Sequence, residues 1–231
     1  SNVSLPETYL LGYGRLFDDV KNFSLMISAF AKTNLKLPLV IMGDGPDAKK
    51  LATLAKSLGV NDRVIFIGHQ SNPAPVVERA LCTLLTSHYE GFPMVLVESL
   101  ALGTPVISVD CDSGPKEIVQ NGINGMLVAN YDEVALSTAI RTFVLDGELA
   151  SRCKKNAQES VKWLSFEEAI ALNKKDPKPI LIDVYTDWCG YCKKMDLNTY
   201  SNKTISDYIN QNFYAVKLDG EEKEFSWGGI L

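Results

Sequence analysis

Glu90-Gly91-Phe92-Pro93-Met94-Val95-Leu96-Val97-Glu98 sets two carboxylates eight positions apart, divided by a Gly-x-Pro break and a short apolar run. Leu81 to Leu85 ahead of it reads as a strand, and Val95 to Leu102 behind it as a buried helix closed by Gly103. Glu90 is therefore expected on a strand-to-helix loop and Glu98 about one turn inside the helix. The unpaired amides at such a helix start attract anions, phosphate above all. A carboxylate among them suits hydroxyls instead: sugar or ribose hydroxyls donate to it while the amides hold a diphosphate. A capping Glu and a surface Glu satisfy the same spacing, and spacing alone leaves both open.

Working outward, strands and helices alternate on both sides of this stretch. Tyr9 to Tyr13 is an apolar strand running into Gly14-Arg15-Leu16 and a polar loop at Asp18-Asp19, and Phe23, Met26, Ile27 and Phe30 then give helical spacing. Leu39 to Met42 is the next strand, broken at Gly43-Asp44-Gly45-Pro46, and Ala48, Leu51, Ala52 and Ala55 trace a helical face. Val64 to Ile67 leads to Gly68, and Pro75 to Ala80 is a short helix. Past the central stretch come strands at Pro105 to Val109 and Met126 to Val128, a helix through Leu136, Ala139, Ile140 and Phe143, and a last helix near Leu149 to Val161.

This alternation predicts an α/β fold with a parallel, Rossmann-like sheet, whose ligands lie beyond the carboxyl ends of the strands. The loops there are Gly14 to Lys21, Gly43 to Pro46, Gly68 to Asn72, Ser87 to Met94 and Asp110 to Lys116. Arg15 and Lys21, a guanidinium and an ammonium from one loop, can together hold a diphosphate; plain solvation is the ordinary alternative. The glycine pair at Gly43 and Gly45 is a tight turn and only weakly a phosphate signal. His69 and His88 read as isolated structural histidines. No set of His, Cys and carboxylates has metal-ligand spacing, so no metal and no cofactor are expected.

At 231 residues the chain is long enough for one large domain or two small ones. Its 46% apolar and 22% charged residues fit a folded globular protein rather than a disordered one. The net charge of −5 carries no basic patch, so nucleic acid is not an expected partner. No apolar run is long enough to span a bilayer and the first thirty residues lack the pattern of a signal peptide, so a cytoplasmic chain without a transmembrane segment is expected. Cys82, Cys111 and Cys153 lie in apolar or helical contexts that favour reduced, buried thiols, whereas Cys189 and Cys192 are closely spaced.

Arg15 with Lys21, Gly43-Asp44-Gly45-Pro46, Gly68, Glu90-Gly91-Phe92-Pro93 with Glu98, Gly103-Thr104-Pro105-Val106 and Ser113-Gly114-Pro115-Lys116-Glu117-Ile118 stand in the order and spacing of one family. The stretch from about residue 3 to 161 resembles the carboxyl-terminal, nucleotide-sugar-binding half of the retaining GT-B glycosyltransferases of family 4, of the kind that builds bacterial surface polysaccharides. The resemblance implies that Arg15 and Lys21 neutralise a departing diphosphate and that Glu98 binds ribose hydroxyls. It further implies that Glu90, with the amides of Gly91, Phe92, Pro93, Met94, Val95 and Leu96, holds the donor sugar and its phosphates. The donor is a nucleoside diphosphate sugar, UDP-linked. The glycan or lipid-linked acceptor belongs to a separate amino-terminal domain, at the inner membrane surface in the full-length enzyme, so this chain should bind donor and hardly turn it over. Developing charge on the leaving oxygen is what fixed cations and amides stabilise.

From about residue 162 the alternation starts afresh. Phe166 to Leu172 is a helix, Lys174 to Pro179 a linker, and Ile180 to Tyr185 a strand leading directly into Trp188-Cys189-Gly190-Tyr191-Cys192. A Cys-x-x-Cys at a helix start favours the Cys189 thiolate, which Cys192 can resolve. Zinc would need two further ligands, haem a histidine where Lys193 stands, and two ordinary buried thiols remain an alternative. The stretch from Lys162 to Gly220 resembles the amino-terminal part of a thioredoxin-like protein, with Asp183 at the position of the family's buried acid. Ile205, Tyr208 and Ile209 mark another helix and Phe213 to Leu218 a strand, after which the family's proline loop and last two strands are missing. A truncated, two-strand unit with an open edge is the expectation. Three functions follow: a donor-binding glycosyltransferase half, a thiol-disulfide oxidoreductase through Cys189 and Cys192, or a non-catalytic binding scaffold.

Overall fold

Leu10, Leu11 and Tyr13 have almost no solvent exposure, and neither do the four residues Leu39–Met42, so these apolar runs must be covered on both faces. They are β1 (Leu10–Tyr13) and β2 (Leu39–Met42) of a six-stranded parallel sheet, with β3 (Val64–Gly68), β4 (Cys82–Leu85), β5 (Val106–Asp110) and β6 (Gly125–Ala129), in the order β3-β2-β1-β4-β5-β6. The computed structural model describes residues 5–91, 93–112, 114–158, 161–186, 188–200 and 203–221, with backbone alone at 158, 193, 194, 197, 198, 203 and 204. The chain divides into two compact units, Ser1–Gln158 and Glu159–Leu231.

The helices of the first unit are α1 (Asp18–Lys21), α2 (Phe23–Thr33), α3 (Ala48–Ser57), α4 (Ala74–Arg79), α5 (Met94–Ala101), α6 (Pro115–Ile118), α7 (Glu133–Leu145) and α8 (Gly147–Gln158). Side chains alternate across the pleat. Leu10 joins a core with Phe23, Ile27 and Phe30 of α2 and Ile140 and Phe143 of α7. Leu11 and Tyr13 face the other way, onto Val76 and Val77 of α4. From β1 the chain steps to β2 and β3 on one side, then returns to β4, β5 and β6 on the other. The reversal falls between β1 and β4, and beyond their carboxyl ends a crevice opens because the connecting segments leave in opposite directions.

Backbone bonds stitch the rim of that crevice. Gly14 N donates to Met42 O at 3.0 Å, Leu16 N to Asp44 O at 2.9 Å and Gly43 N to Gly68 O at 2.9 Å, so the loops after β1, β2 and β3 are tied to one another. Gly43 sits at φ +132°, where a Cβ would lie 1.9 Å from the Gly14 carbonyl oxygen. No side chain fits there.

The second unit contains β7 (Trp163–Leu164), α9 (Phe166–Asn173), β8 (Ile180–Tyr185), α10 (Gly190–Met195) running into a π-helical turn at Asp196–Tyr200, α11 (Lys203–Asn212) and β9 (Tyr214–Asp219). Ser165 and Glu168 close α9 with a reciprocal capping box, the helix start that Ser-x-x-Glu specifies. Three parallel strands, ordered β7-β9-β8, replace the two expected. The extra one pairs Trp163 and Leu164 with Ala215 and Val216, and two residues are too few to give a period. Val161, Tyr200, Ile209 and Ala215 form its core.

Gly43→Ala is expected to destabilise the chain by about 3 kcal/mol or more, because strained dihedrals and a backbone clash coincide. Gly59→Ala, also at positive φ but with nothing within 4 Å of the added methyl, is expected to cost about 1 kcal/mol. Urea unfolding midpoints of the two variants test this; equal shifts would contradict the stitched rim.

Candidate functional site

Beyond Tyr13 the chain turns through Gly14-Arg15-Leu16 into α1. The sequence reading kept this segment as a loop up to Lys21; Lys21 is instead the last residue of a one-turn helix, too short for any periodicity to reveal. Its anchor is Asp18, buried at 6% exposure, whose carboxylate accepts from Ser24 N at 2.8 Å, Ser24 Oγ at 2.5 Å and Lys50 Nζ at 2.9 Å. Burial pushes this carboxyl up, but the bonds from Ser24 and Lys50 outweigh it and hold it below the usual carboxylate range. Asn22 then turns the chain in the left-handed region, φ 50°, and its side chain accepts from Leu25 N to cap α2.

The loop after β4 is tied to this helix. Thr86 Oγ1 lies 3.2 Å from Lys21 O and 2.9 Å from Asn22 O as their donor, and His88 N donates to Val20 O at 2.9 Å. These bonds bring Lys21 Nζ to 2.7 Å from Glu90 Oε1, and Ser87 Oγ donates to the same oxygen at 2.6 Å. Glu90 is 9% exposed. Cys111, buried at the end of β5, has its thiol pushed up to about 11 by burial and the nearby Glu90 carboxylate, and stays a neutral neighbour.

Pro93 occupies the N-cap position of α5, without a side-chain cap. Of the six residues whose amides the resemblance implied, Phe92 lies outside the described residues. Pro93 has no N–H, and Leu96 N is committed to Pro93 O at 3.0 Å. This corrects the expected set: Gly91, Met94 and Val95 keep amides without a backbone partner among the described residues. Pro93 and Leu96 side chains are buried, while Gly91 and Met94 are exposed.

Glu98 stands just over one turn into α5, exposed, and its Oε2 accepts from Tyr13 OH at 3.2 Å. Tyr13, the last residue of β1, and Arg15 line a cavity of about 460 Å³ beyond β1, β2 and β3, together with Gly43, Asp44, His69 and Gln70; of the four charged residues singled out in the sequence it takes in Arg15, and Lys21, Glu90 and Glu98 are not in its lining. Asp44 Oδ2 accepts from His69 N at 3.1 Å, which shapes its wall. Arg15 is exposed and has no ion-pair partner among the described residues. His88 stacks on Tyr131 with ring centroids 5.1 Å apart. Both bridges, Lys21 to Glu90 and Tyr13 to Glu98, thus join the segment after β1 to the segment after β4. Sequence reasoning missed Tyr13, Ser87 and Asp18; the signal available was a tyrosine ending an otherwise aliphatic strand directly before Gly14-Arg15.

In the second unit Cys189 and Cys192 form a disulfide, and Cys192 N donates to Cys189 Sγ at 3.1 Å. Trp188 and Tyr191 beside it are largely exposed. Asp183 on β8 lies opposite Lys217 of β9; burial outweighs the Lys217 ammonium and raises its carboxyl above the usual range. Lys217 pairs with Asp196 and sits 5.2 Å from the ring centres of Trp163 and Tyr185. Cys82, Cys111 and Cys153 are buried free thiols, in line with the sequence reading. Among the described residues no group of three or more His, Cys, Asp or Glu is disposed to hold a metal ion, and no helix is long and apolar enough to cross a membrane.

The family model described as Glycosyl transferases group 1 matches residues 2–160. A second, labelled Thioredox_DsbH and described as a protein of unknown function, DUF255, matches residues 144–224. Over 119 residues the chain is 41% identical to the lipopolysaccharide 1,6-galactosyltransferase of Salmonella typhimurium, covering 49% of this chain and 33% of that protein. Identity to the poly(glycerol-phosphate) alpha-glucosyltransferase of Bacillus subtilis is 31% over 220 residues, 93% of this chain and 31% of that one. Among solved structures, Anabaena Alr3699/HepE in complex with UDP superposes with a TM-score of 0.61 at 26% identity, over 66% of this chain and 43% of that chain. The C-terminal domain of a glycosyl transferase group 1 family protein (LpcC) from Francisella tularensis gives 0.58 at 26% identity, over 64% of this chain and 82% of that chain. The chain spans less than half the length of the curated relatives it matches.

Asp18→Asn is expected to cost about 1–3 kcal/mol at neutral pH, since it weakens bonds to a buried charge. Because the folded-state carboxyl lies below its unfolded value, the stabilisation is complete above about pH 4 and is lost as pH falls through the folded value. Unfolding midpoints at pH 7 and pH 3 should show the gap between wild type and variant narrowing at the lower pH; a gap that widens would refute the assignment.

Proposed function

The chain belongs to the glycosyl transferases of group 1, and from this we propose that residues 1–161 are the carboxyl-terminal, nucleotide-sugar-binding domain of a retaining GT-B enzyme of family 4. The substrate is a nucleoside diphosphate sugar, UDP-linked, and the sugar passes to a glycan or lipid-linked acceptor held by an amino-terminal domain in surface polysaccharide synthesis. The observation that carries the reading is the Lys21–Glu90 pair, which joins the segment after β1 to the loop after β4, with Arg15, without an ion-pair partner among the described residues, on the wall of the cavity beyond β1. A structural neighbour bound to UDP supports the nucleotide.

In this reading the bond between the anomeric carbon and the diphosphate oxygen breaks while the acceptor hydroxyl bonds to that carbon and its proton passes to the leaving phosphate. Negative charge grows on the diphosphate as the bond opens. Arg15, Lys21 and the amides of Gly91, Met94 and Val95 stabilise it, an effect worth most in a site with little water. Glu98 accepts from the ribose hydroxyls, and Glu90, held by Lys21 and Ser87, orients the sugar. The cavity wall at Met42 and Pro73 takes the flat base.

UDP at 1 mM is expected to raise the melting temperature of the full chain, as binding to the folded state alone must. Arg15→Ala and Lys21→Ala should each weaken UDP binding about tenfold while leaving uridine binding unchanged, since only the diphosphate meets them. Calorimetric titration reads both. Absence of any UDP response at millimolar concentration, or equal losses for uridine and UDP, would refute the donor site.

The disulfide supports a second reading for residues 162–231, a thioredoxin-like domain that exchanges thiols and disulfides. Reduction of Cys189–Cys192 to the dithiol takes two electrons and two protons from a substrate dithiol, which becomes a disulfide. Raised Asp183 is a fitting proton carrier. With dithiothreitol as reductant, disulfide reductase activity is expected in the wild type and none in Cys189→Ser. Activity that survives in Cys189→Ser would exclude the mechanism.

A further inference from the structure

Glu98 is exposed on α5, and a glutamate there has three side-chain torsions free to wander unless something holds its head. One neighbour reaches it from the core. Tyr13 is 9% exposed, its ring packed with Leu11, Met42 and Val76, so its two torsions are fixed by the sheet. Its O–H lies 3.0 Å from Val95 O, 3.2 Å from Glu98 Oε2 and 3.4 Å from Ser99 Oγ. Ser99 Oγ donates to Thr83 Oγ1 of β4 at 2.9 Å, which commits its only proton to the sheet. Val95 O already serves the helix ladder four residues on. The single phenolic proton is shared between Val95 O and Glu98 Oε2, and its bond to the carboxylate is the charge-assisted one. Burial raises the phenol well above its ordinary range, so the donor persists at every working pH.

We propose that Tyr13 is the positioning residue for Glu98 and sets the selectivity of the site for a ribose diol. By holding Oε2 from the β1 side, it fixes the plane of the carboxylate so that two adjacent hydroxyls meet two acceptor oxygens already in place. Thr83 and Ser99 hold α5 at the distance this needs. The inference rests on the nucleotide-sugar reading of the same site, and goes beyond it in assigning discrimination between ribose and deoxyribose to a residue that touches neither.

Calorimetric titration of the full chain with UDP and with 2′,3′-dideoxyuridine 5′-diphosphate tests it. The wild type is expected to prefer UDP. Tyr13→Phe, which removes one oxygen from a buried ring, should weaken UDP about tenfold and leave the dideoxy compound unchanged, so that the preference collapses. Ser99→Ala should move the ratio in the same direction by about threefold, and gives the answer if Tyr13→Phe melts below the assay temperature. A preference that survives in both variants, or equal weakening of both nucleotides, would overturn the inference while leaving the donor site intact. Failure of the wild type to bind either nucleotide, or an unchanged preference in Glu98→Gln, would instead remove the donor-site reading and this inference with it.

Discussion

The rim of the first unit depends on a buried carboxylate that needs a cation. Glu90 lies at 9% exposure, and an ionised carboxyl in such a place is costly unless paired and hydrogen-bonded. Lys21 supplies the charge and Ser87 a hydroxyl. For Lys21 to reach, α1 must stand against the loop after β4, and Thr86 and His88 hold it there through backbone carbonyls. What keeps α1 itself in shape is Asp18, satisfied by Ser24 and Lys50. A chain of polar contacts thus runs from a one-turn helix to the mouth of the crevice, and each link is local enough to be broken by one substitution.

The strands β1, β2, β4 and β5 were legible because each is an apolar run ended by Gly, Pro or a polar residue, and burial on both faces demands that pattern. Helices α2, α3 and α7 were legible from periodicity. The elements that escaped are α1, α6 and β7, of four, four and two residues. None is long enough to repeat a period, so their structure is dictated by what they dock on rather than by their own composition. β7 exists because β9 offers it a free edge at Ala215 and Val216.

At the site, residue type carried much of the reading and contact carried the rest. Arg15, Lys21, Glu90 and Glu98 could be singled out because charged groups after parallel strands face the ligand side. Tyr13 could not, since its hydroxyl acquires a role only when α5 docks, 85 residues later in the chain. Ser87 was likewise silent: a serine three residues before a glutamate becomes informative only once the carboxylate is known to be buried. Narrowing of the amide set was half readable in advance, because proline lacks an N–H wherever it sits, whereas the loss of the Leu96 amide required knowing where α5 begins.

The two cations of the rim are arranged differently, and the difference bears on how a diphosphate would enter. Lys21 is neutralised by Glu90 in the unliganded chain, while Arg15 stands exposed without an ion-pair partner among the described residues. The positive potential an arriving anion would meet therefore comes from Arg15 and the amides of Gly91, Met94 and Val95, which have no backbone partner among the described residues. Lys21 has a flexible stem and three donors, one of which Glu90 holds. It can turn one donor to a phosphate without releasing Glu90. In the proposed donor site Arg15 would attract first and Lys21 follow, so that the buried carboxylate is at no stage left without its counter-charge.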